Sequence, residues 1–239
     1  MPIVASGADY NPEESPYERG RRLVICKMRQ NSGMGERYKN CRLSDFNPFP
    51  TQTGAFRAAG EFCENYISGK NRGEGLLFAG NCGSGKTMLA ASLAGEILER
   101  GKLDETRVGM AAMYGIDVCG NGPDIVRFVN IVDFLERIRC SFDKSEAGSA
   151  RSILEEYEKI PLLFIDDLGA ERPTGWAGER LYELINYRYM EVLPIIVTTN
   201  CNADELRERL GDRLFDRVKS MCRYVPLTVR ESLRKSCGN

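Results

Sequence analysis

Eight residues constrain this chain more than any other stretch of it: Gly80-Asn81-Cys82-Gly83-Ser84-Gly85-Lys86-Thr87, which fits the spacing G-x-x-x-x-G-K-[ST]. An apolar run, Leu76-Leu77-Phe78-Ala79, leads in. Met88, Leu89, Leu93, Ile97 and Leu98 lead out at helical spacing, so strand, loop and helix come in the order the pattern demands. A glycine-rich turn with an accidental lysine would not explain these flanks. Gly80, Gly83 and Gly85 let the backbone wrap closely around phosphate oxygens, with amides and a helix N-terminus pointing at the negative charge. The whole stretch is therefore an expected ATP or ADP loop, with Asn81, Cys82 and Ser84 contributing backbone and Cys82 at a variable position. Lys86 is expected to reach the β- and γ-phosphates, and the Thr87 hydroxyl to bind Mg²⁺.

A second apolar run, Leu162-Leu163-Phe164-Ile165, ends in Asp166-Asp167. Alone this is a weak signal, because many parallel strands end in an acidic loop; paired with the upstream loop it gains meaning. Asp166 is then a Mg²⁺ ligand, direct or through water, and Asp167 the carboxylate that orients or deprotonates an attacking water. A third run, Ile195-Ile196-Val197, ends in Thr198-Thr199-Asn200. Asn200 could reach between the two earlier motifs to the γ-phosphate or the water, or it could merely open the turn toward Asn202.

A chain of 239 residues with 42% hydrophobic content can bury one sizeable core, which suits a single α/β domain. Its 33 basic and 34 acidic residues cancel, so any DNA contact must come from local patches rather than a global field. Nine scattered cysteines without a C-x-x-C pair, and no histidine, argue for free thiols and against a zinc site. Neither the N-terminus nor any internal stretch is apolar for long enough to export or anchor the chain, so a reduced, cytoplasmic setting without membrane contact is expected.

Between residues 162 and 217 the motifs Asp166-Asp167-Leu168-Gly169-Ala170-Glu171-Arg172-Pro173-Thr174, Leu181-Tyr182, Arg188-Tyr189, Leu193-Pro194, Thr198-Thr199-Asn200 and Leu210-Gly211-Asp212-Arg213 resemble the DnaC/DnaI-type helicase loaders. These belong to the initiator group of AAA+ ATPases, and IstB transposition ATPases look similar over the same module. The resemblance spans about residues 37–234. It implies a three-layer αβα AAA+ / P-loop NTPase core with a central parallel sheet and no C-terminal helical lid, since only twenty-two residues follow Arg217.

Carried over by position, the resemblance makes Asn200 the sensor of the γ-phosphate and Arg217 the finger that completes a neighbouring subunit's site, with Arg213 as the alternative finger. Arg234 matches the arginine that contacts the γ-phosphate within its own subunit. A finger acting in trans implies self-association. Read without the family, Arg207, Arg209, Arg213 and Arg217 among Glu205, Glu208, Asp212 and Asp216 would be a solvated helix face.

Phe142 and Trp176 stand among polar neighbours, where aromatic faces can stack on unpaired bases. The resemblance places Phe142, Thr174 and Trp176 on a single-stranded DNA path, with residues 132–142 as an initiator-specific helix and Arg137, Arg139 and Lys144 available for phosphates. Packing of both aromatics in the core with Phe134, Leu135 and Ile138 is the competing reading.

In front of the ATPase domain at 37–239, residues 1–36 are expected to form a short tail with one basic amphipathic helix. That helix could dock on a partner or pack on its own core. A tail this short favours a loader over an IstB protein. Residues 56–67 carry a second amphipathic pattern, and the glycine-rich insertion 106–124 is expected to be a surface loop or hairpin. The functional expectation is an ATP-hydrolysing replication protein that places a ring-shaped hexameric replicative helicase on single-stranded DNA. A transposition helper assembling on duplex DNA and a nucleotide-gated scaffold with negligible hydrolysis are the alternatives.

Overall fold

The computed structural model of the protein describes residues 14–114, 125–142, 147–170 and 175–229. Five parallel strands form a single sheet: β1 (Gly75–Ala79), β2 (Val126–Asn130), β3 (Leu162–Asp166), β4 (Ile195–Thr199) and β5 (Cys222–Pro226), in the order β2-β3-β4-β1-β5. Burial along the full length of β1, β3 and β4 is why these strands read as unbroken apolar runs and not as alternation.

Helices cover both faces of the sheet. On one side lie α1 (Pro16–Asn31), α2 (Thr53–Ile67), α3 (Lys86–Arg100) and α4 (Glu105–Tyr114), packed around Leu76, Phe78, Phe128, Phe164 and Ile196. The other side carries α5 (Ile131–Phe142), α6 (Ala147–Lys159), α7 (Trp176–Met190), α8 (Ala203–Leu210) and α9 (Asp212–Met221), around Leu77, Val129, Leu163, Ile165 and Val197. Neighbouring strand residues such as Leu76 and Leu77 thus enter opposite cores, as a period of two requires. The result is a three-layer αβα domain. Parallel pairing of Phe78 with Thr198 and Ala79 with Thr199 brings the ends of β1 and β4 level, and β3 lies on the far side of β4. The phosphate loop and the two aspartates therefore flank the residue that follows β4, Asn200.

One open alternative is decided and one expectation is corrected. The N-terminal helix exists as α1, started by a Ser15/Glu18 capping box, but its apolar stripe of Val24, Ile25 and Met28 is buried in the domain. Gly20, which weakens a helix by propensity, is what lets α4 approach: a Cβ there would strike the Val108 carbonyl. Residues 14–36 are thus not a detachable arm, and that stripe is not free to dock on a partner. The insertion 106–124 begins not as a loop or hairpin but as α4, whose Val108, Ala111 and Ala112 are buried. Burial of three residues offsets the roughly 1 kcal/mol that Gly109 costs in a helix; residues 115–124, with the densest glycine, lie outside the described residues.

Among the described residues seven cysteines form no disulfide, no acidic or sulfur cluster is arranged to hold a metal by itself, and no helix is long and apolar enough to cross a membrane.

Candidate nucleotide site

The loop leaves β1 at Ala79 and is anchored at once, with Gly80 N–H donating to the Thr199 carbonyl at 3.2 Å and Leu227 N–H to the Ala79 carbonyl at 2.7 Å. A side chain at Gly80 would collide with the Leu227 carbonyl. Gly83 (φ 76°) and Gly85 (φ 90°) turn the chain through left-handed conformations that other residues resist. Gly85 then caps α3, so the first amides of that helix open toward the loop.

Lys86 is buried at the start of α3 and threads back through the loop. Its ammonium donates to the Gly80 and Asn81 carbonyls, both at 2.9 Å, and to Asn200 Oδ1 at 2.8 Å. Asn200 Nδ2 in turn donates to Asp167 Oδ1 at 3.0 Å. A continuous chain therefore runs Lys86–Asn200–Asp167, and the position of Asn200 is bridging, not merely turn-opening. Beside it, Thr87 Oγ1 donates to Asp166 Oδ1 at 2.9 Å, and Thr198 Oγ1 donates to the same oxygen at 2.6 Å. The Thr198 hydroxyl also accepts from Asp167 N–H at 3.0 Å, which helps hold Asp167 in its left-handed backbone (φ 58°).

Burial pushes the Asp166 carboxyl above the usual carboxylate range, against the pull of the Thr198 and Thr87 hydroxyls and the Lys86 charge; Asp167 adds to the rise. A desolvated carboxylate beside a hydroxyl is a hard-oxygen pair of the kind Mg²⁺ shares with phosphate oxygens and water. The residues present fit that ion.

A cavity of about 380 Å³ adjoins the loop, walled on one side by Gly83, Gly85, Lys86, Thr87, Asp167 and Asn200 and on the other by residues from 37–52, among them Tyr38, Phe46 and Phe49. Apolar walls with a few convergent polar groups are the usual make-up of a small-molecule site. A phosphate chain over the loop would leave the rest of a nucleotide facing this wall.

The arginines stand apart. Arg217 lies half-buried on α9 with its guanidinium 4.3 Å from the centroid of the Tyr189 ring, while Arg213 is exposed. Neither hydrogen-bonds to the Lys86–Asn200–Asp167 chain. Arg207 pairs with Asp212 and Asp216, so part of this cluster is the solvated face that charge patterning describes. Arg234 and Thr174 lie outside the described residues, as does the Phe142 side chain, although the backbone of Phe142 closes α5. Trp176 opens α7 half-buried against the core around Leu181 and Leu184, and so is not the freely exposed aromatic its polar neighbours suggested. Arg137 is held by the Tyr157 hydroxyl and Glu156.

A sequence model of the family described as IstB-like ATP binding protein matches residues 65–237, well over half of the chain and inclusive of the loop, both aspartates and Asn200. The chain belongs to that family.

Several known proteins are similar to this IstB-like chain. It is 26% identical over 220 residues to the uncharacterised protein YqaM of Bacillus subtilis (strain 168), covering 88% of the chain but only 61% of YqaM. It is 22% identical over 200 residues to the replicative helicase loader DnaC of Escherichia coli (strain K12), covering 83% of the chain and 71% of DnaC. A crystal structure of DnaI superposes with a TM-score of 0.64 at 21% identity, over 87% of the chain and all of the solved DnaI chain. Likeness at that identity concerns the fold, which is the three-layer αβα core with a phosphate loop that the motifs led one to expect.

Two parts of the IstB-like site were not legible beforehand. Thr198 fixes both aspartates, and its signal was slight: the first hydroxyl after an apolar strand. The wall at 37–52 gave none, because its aromatics lie in irregular chain without periodicity.

Proposed function

We propose that this chain binds Mg²⁺·ATP and hydrolyses it, as a replication protein that engages a ring-shaped replicative helicase and helps place it on single-stranded DNA. The observation that supports the enzymatic half most is the Lys86–Asn200–Asp167 chain lying beside the Thr87–Asp166 pair. Lys86 neutralises the β- and γ-phosphates, and its bond to Asn200 links that charge to the group that handles water. Asp167 accepts the proton of the attacking water as the water oxygen bonds to the γ-phosphorus and the bridging oxygen leaves with ADP. Thr87 and Asp166 would hold Mg²⁺, which when bound supplies positive charge to the phosphates. Arg217 of a neighbouring copy, after leaving its stack on Tyr189, would stabilise the transition-state charge, with Arg213 as the alternative; Arg234 would contact the γ-phosphate from within the subunit.

The helicase half rests on the E. coli relative, a helicase loader by name. Single-stranded DNA would run past Trp176, Thr174 and Phe142. Any helicase contact by α1 must use its exposed face around Tyr17, since Val24, Ile25 and Met28 are committed to the core. For the same reason deletion of residues 1–36 would damage the fold and is no clean test. Gel filtration with the replicative helicase of the same cell, with ATP present, is expected to give a joint peak. Absence of that peak, together with ATP-dependent assembly on duplex DNA that grows with duplex length, would replace this reading with the transposition-helper role that the family name favours.

A further inference from the structure

Gln52 lies between the two halves of the site and hydrogen-bonds to both. It is 1% exposed, at the junction of the short 3-10 turn Pro50–Gln52 with α2. Its carboxamide is used at both ends: Nε2 donates to the Ser84 carbonyl at 2.8 Å, and Oε1 accepts from Phe49 N–H at 2.9 Å. One bond grips the phosphate loop and the other grips the wall of the adjoining cavity, which Phe49 and Gln52 line together with Gly85, Lys86 and Thr87.

The grip on Ser84 has a consequence set by covalent geometry. The Ser84–Gly85 peptide is planar and trans, so its C=O and N–H point in opposite directions. Holding the Ser84 oxygen toward Gln52 turns the Gly85 N–H away from Gln52. Gly85 sits in the left-handed conformation at the cap of α3, where an N–H has no partner within its own helix. Glycine tolerates either sign of φ, so a bond from outside the loop helps to select one orientation of the peptide that precedes it. The Ser84 side chain is fully buried and only weakly engaged, its hydroxyl accepting from Lys86 at 3.4 Å.

We propose that Gln52 is a positioning residue for the nucleotide: by holding the Ser84 carbonyl it aims the Gly85 amide at the phosphates and couples that orientation to the cavity wall at Phe49. This rests on the reading of the loop as an ATP site. Substitution Gln52→Glu keeps the shape and the acceptor for Phe49 N–H but sets an oxygen against the Ser84 carbonyl. Gln52→Met keeps the bulk and removes both bonds.

The test is titration of each variant, of the wild-type chain and of Lys86→Ala with Mg²⁺·ATP, alongside a thermal melt without nucleotide. Losing one buried hydrogen bond at the loop predicts that each variant melts as a folded protein yet binds ATP about tenfold more weakly, with the glutamate variant the weaker. Binding within twofold of wild type by the folded fraction of either variant would overturn the inference while leaving the ATP site intact. Failure of the wild-type chain itself to bind would remove the ATP site, and the inference with it. Should neither variant fold, the wild-type chain still decides: the Gly85 amide resonance is expected to shift on addition of Mg²⁺·ATP, and an unmoved resonance in a saturated sample would sink the proposal.

Discussion

Replacing Arg188 with methionine is expected to cost on the order of 3 kcal/mol of stability, because several buried carbonyls lose their donor at once and leaving one such group unsatisfied costs about 1 to 3 kcal/mol. A sizeable part of a typical total of about 5 to 15 kcal/mol would then be gone. Arg188 is wholly buried in α7, where its Nη1 donates to the carbonyls of Tyr157, Glu158 and Ile160 and its Nη2 to those of Pro161 and Pro194. Ile160 and Pro194 accept at 2.7 and 2.8 Å, just ahead of β3 and β4. A single guanidinium thus ties the starts of the two strands that later deliver Asp166, Asp167 and Asn200. Burial pushes its pKa down to about 9, which still leaves it a cation at neutral pH. Swapping a buried ion pair for apolar residues is often harmless because both partners go; here the partners are backbone carbonyls and stay. Lysine would fare little better, lacking the planar fork that reaches several acceptors. Urea unfolding followed by circular dichroism measures this, and a loss below about 1 kcal/mol would show that the carbonyls find other donors or water.

Turnover of ATP by Asp167→Asn is expected to fall at least about a hundredfold, the usual scale for removing a positioned base. Asparagine keeps the size of the side chain and can still accept from Asn200 Nδ2, so nucleotide affinity should change only a few-fold. A phosphate-release assay measures both this turnover and that of Arg217→Ala, which is expected to lose turnover with binding intact. Undiminished hydrolysis by the asparagine variant would assign the base elsewhere. If Asp167→Asn left partner function whole while Lys86→Ala abolished it, the chain would act as a nucleotide-gated scaffold.

What could be read in advance followed physical rules with one solution. Buried parallel strands must be apolar throughout, so β1, β3 and β4 stood out, and the loop between β1 and α3 needs glycine where φ is positive. Amphipathic patterns were less decisive because they report only that one face is covered. The stripe on α1 looks the same in sequence whether α4 or a partner covers it, and the burial of Val24, Ile25 and Met28 together with the close approach at Gly20 distinguishes the two. Composition misled at 106–124, where Gly109 masked a helix with Val108 and Ala111 in the core. Asn200 was ambiguous until Lys86 and Asp167 were found on either side of its amide. Gln52 and Thr198 act through a few hydrogen bonds, to Ser84 and to the two aspartates, that join segments far apart in the chain, and no local pattern marks such residues.

Calorimetric titration of Mg²⁺·ATP into the purified chain and into Lys86→Ala bears most directly on the account. Saturable binding of one nucleotide per chain, absent from the Lys86→Ala variant, is the predicted outcome. Heats indistinguishable from dilution with the wild-type chain, or equal binding by the two proteins, would contradict it.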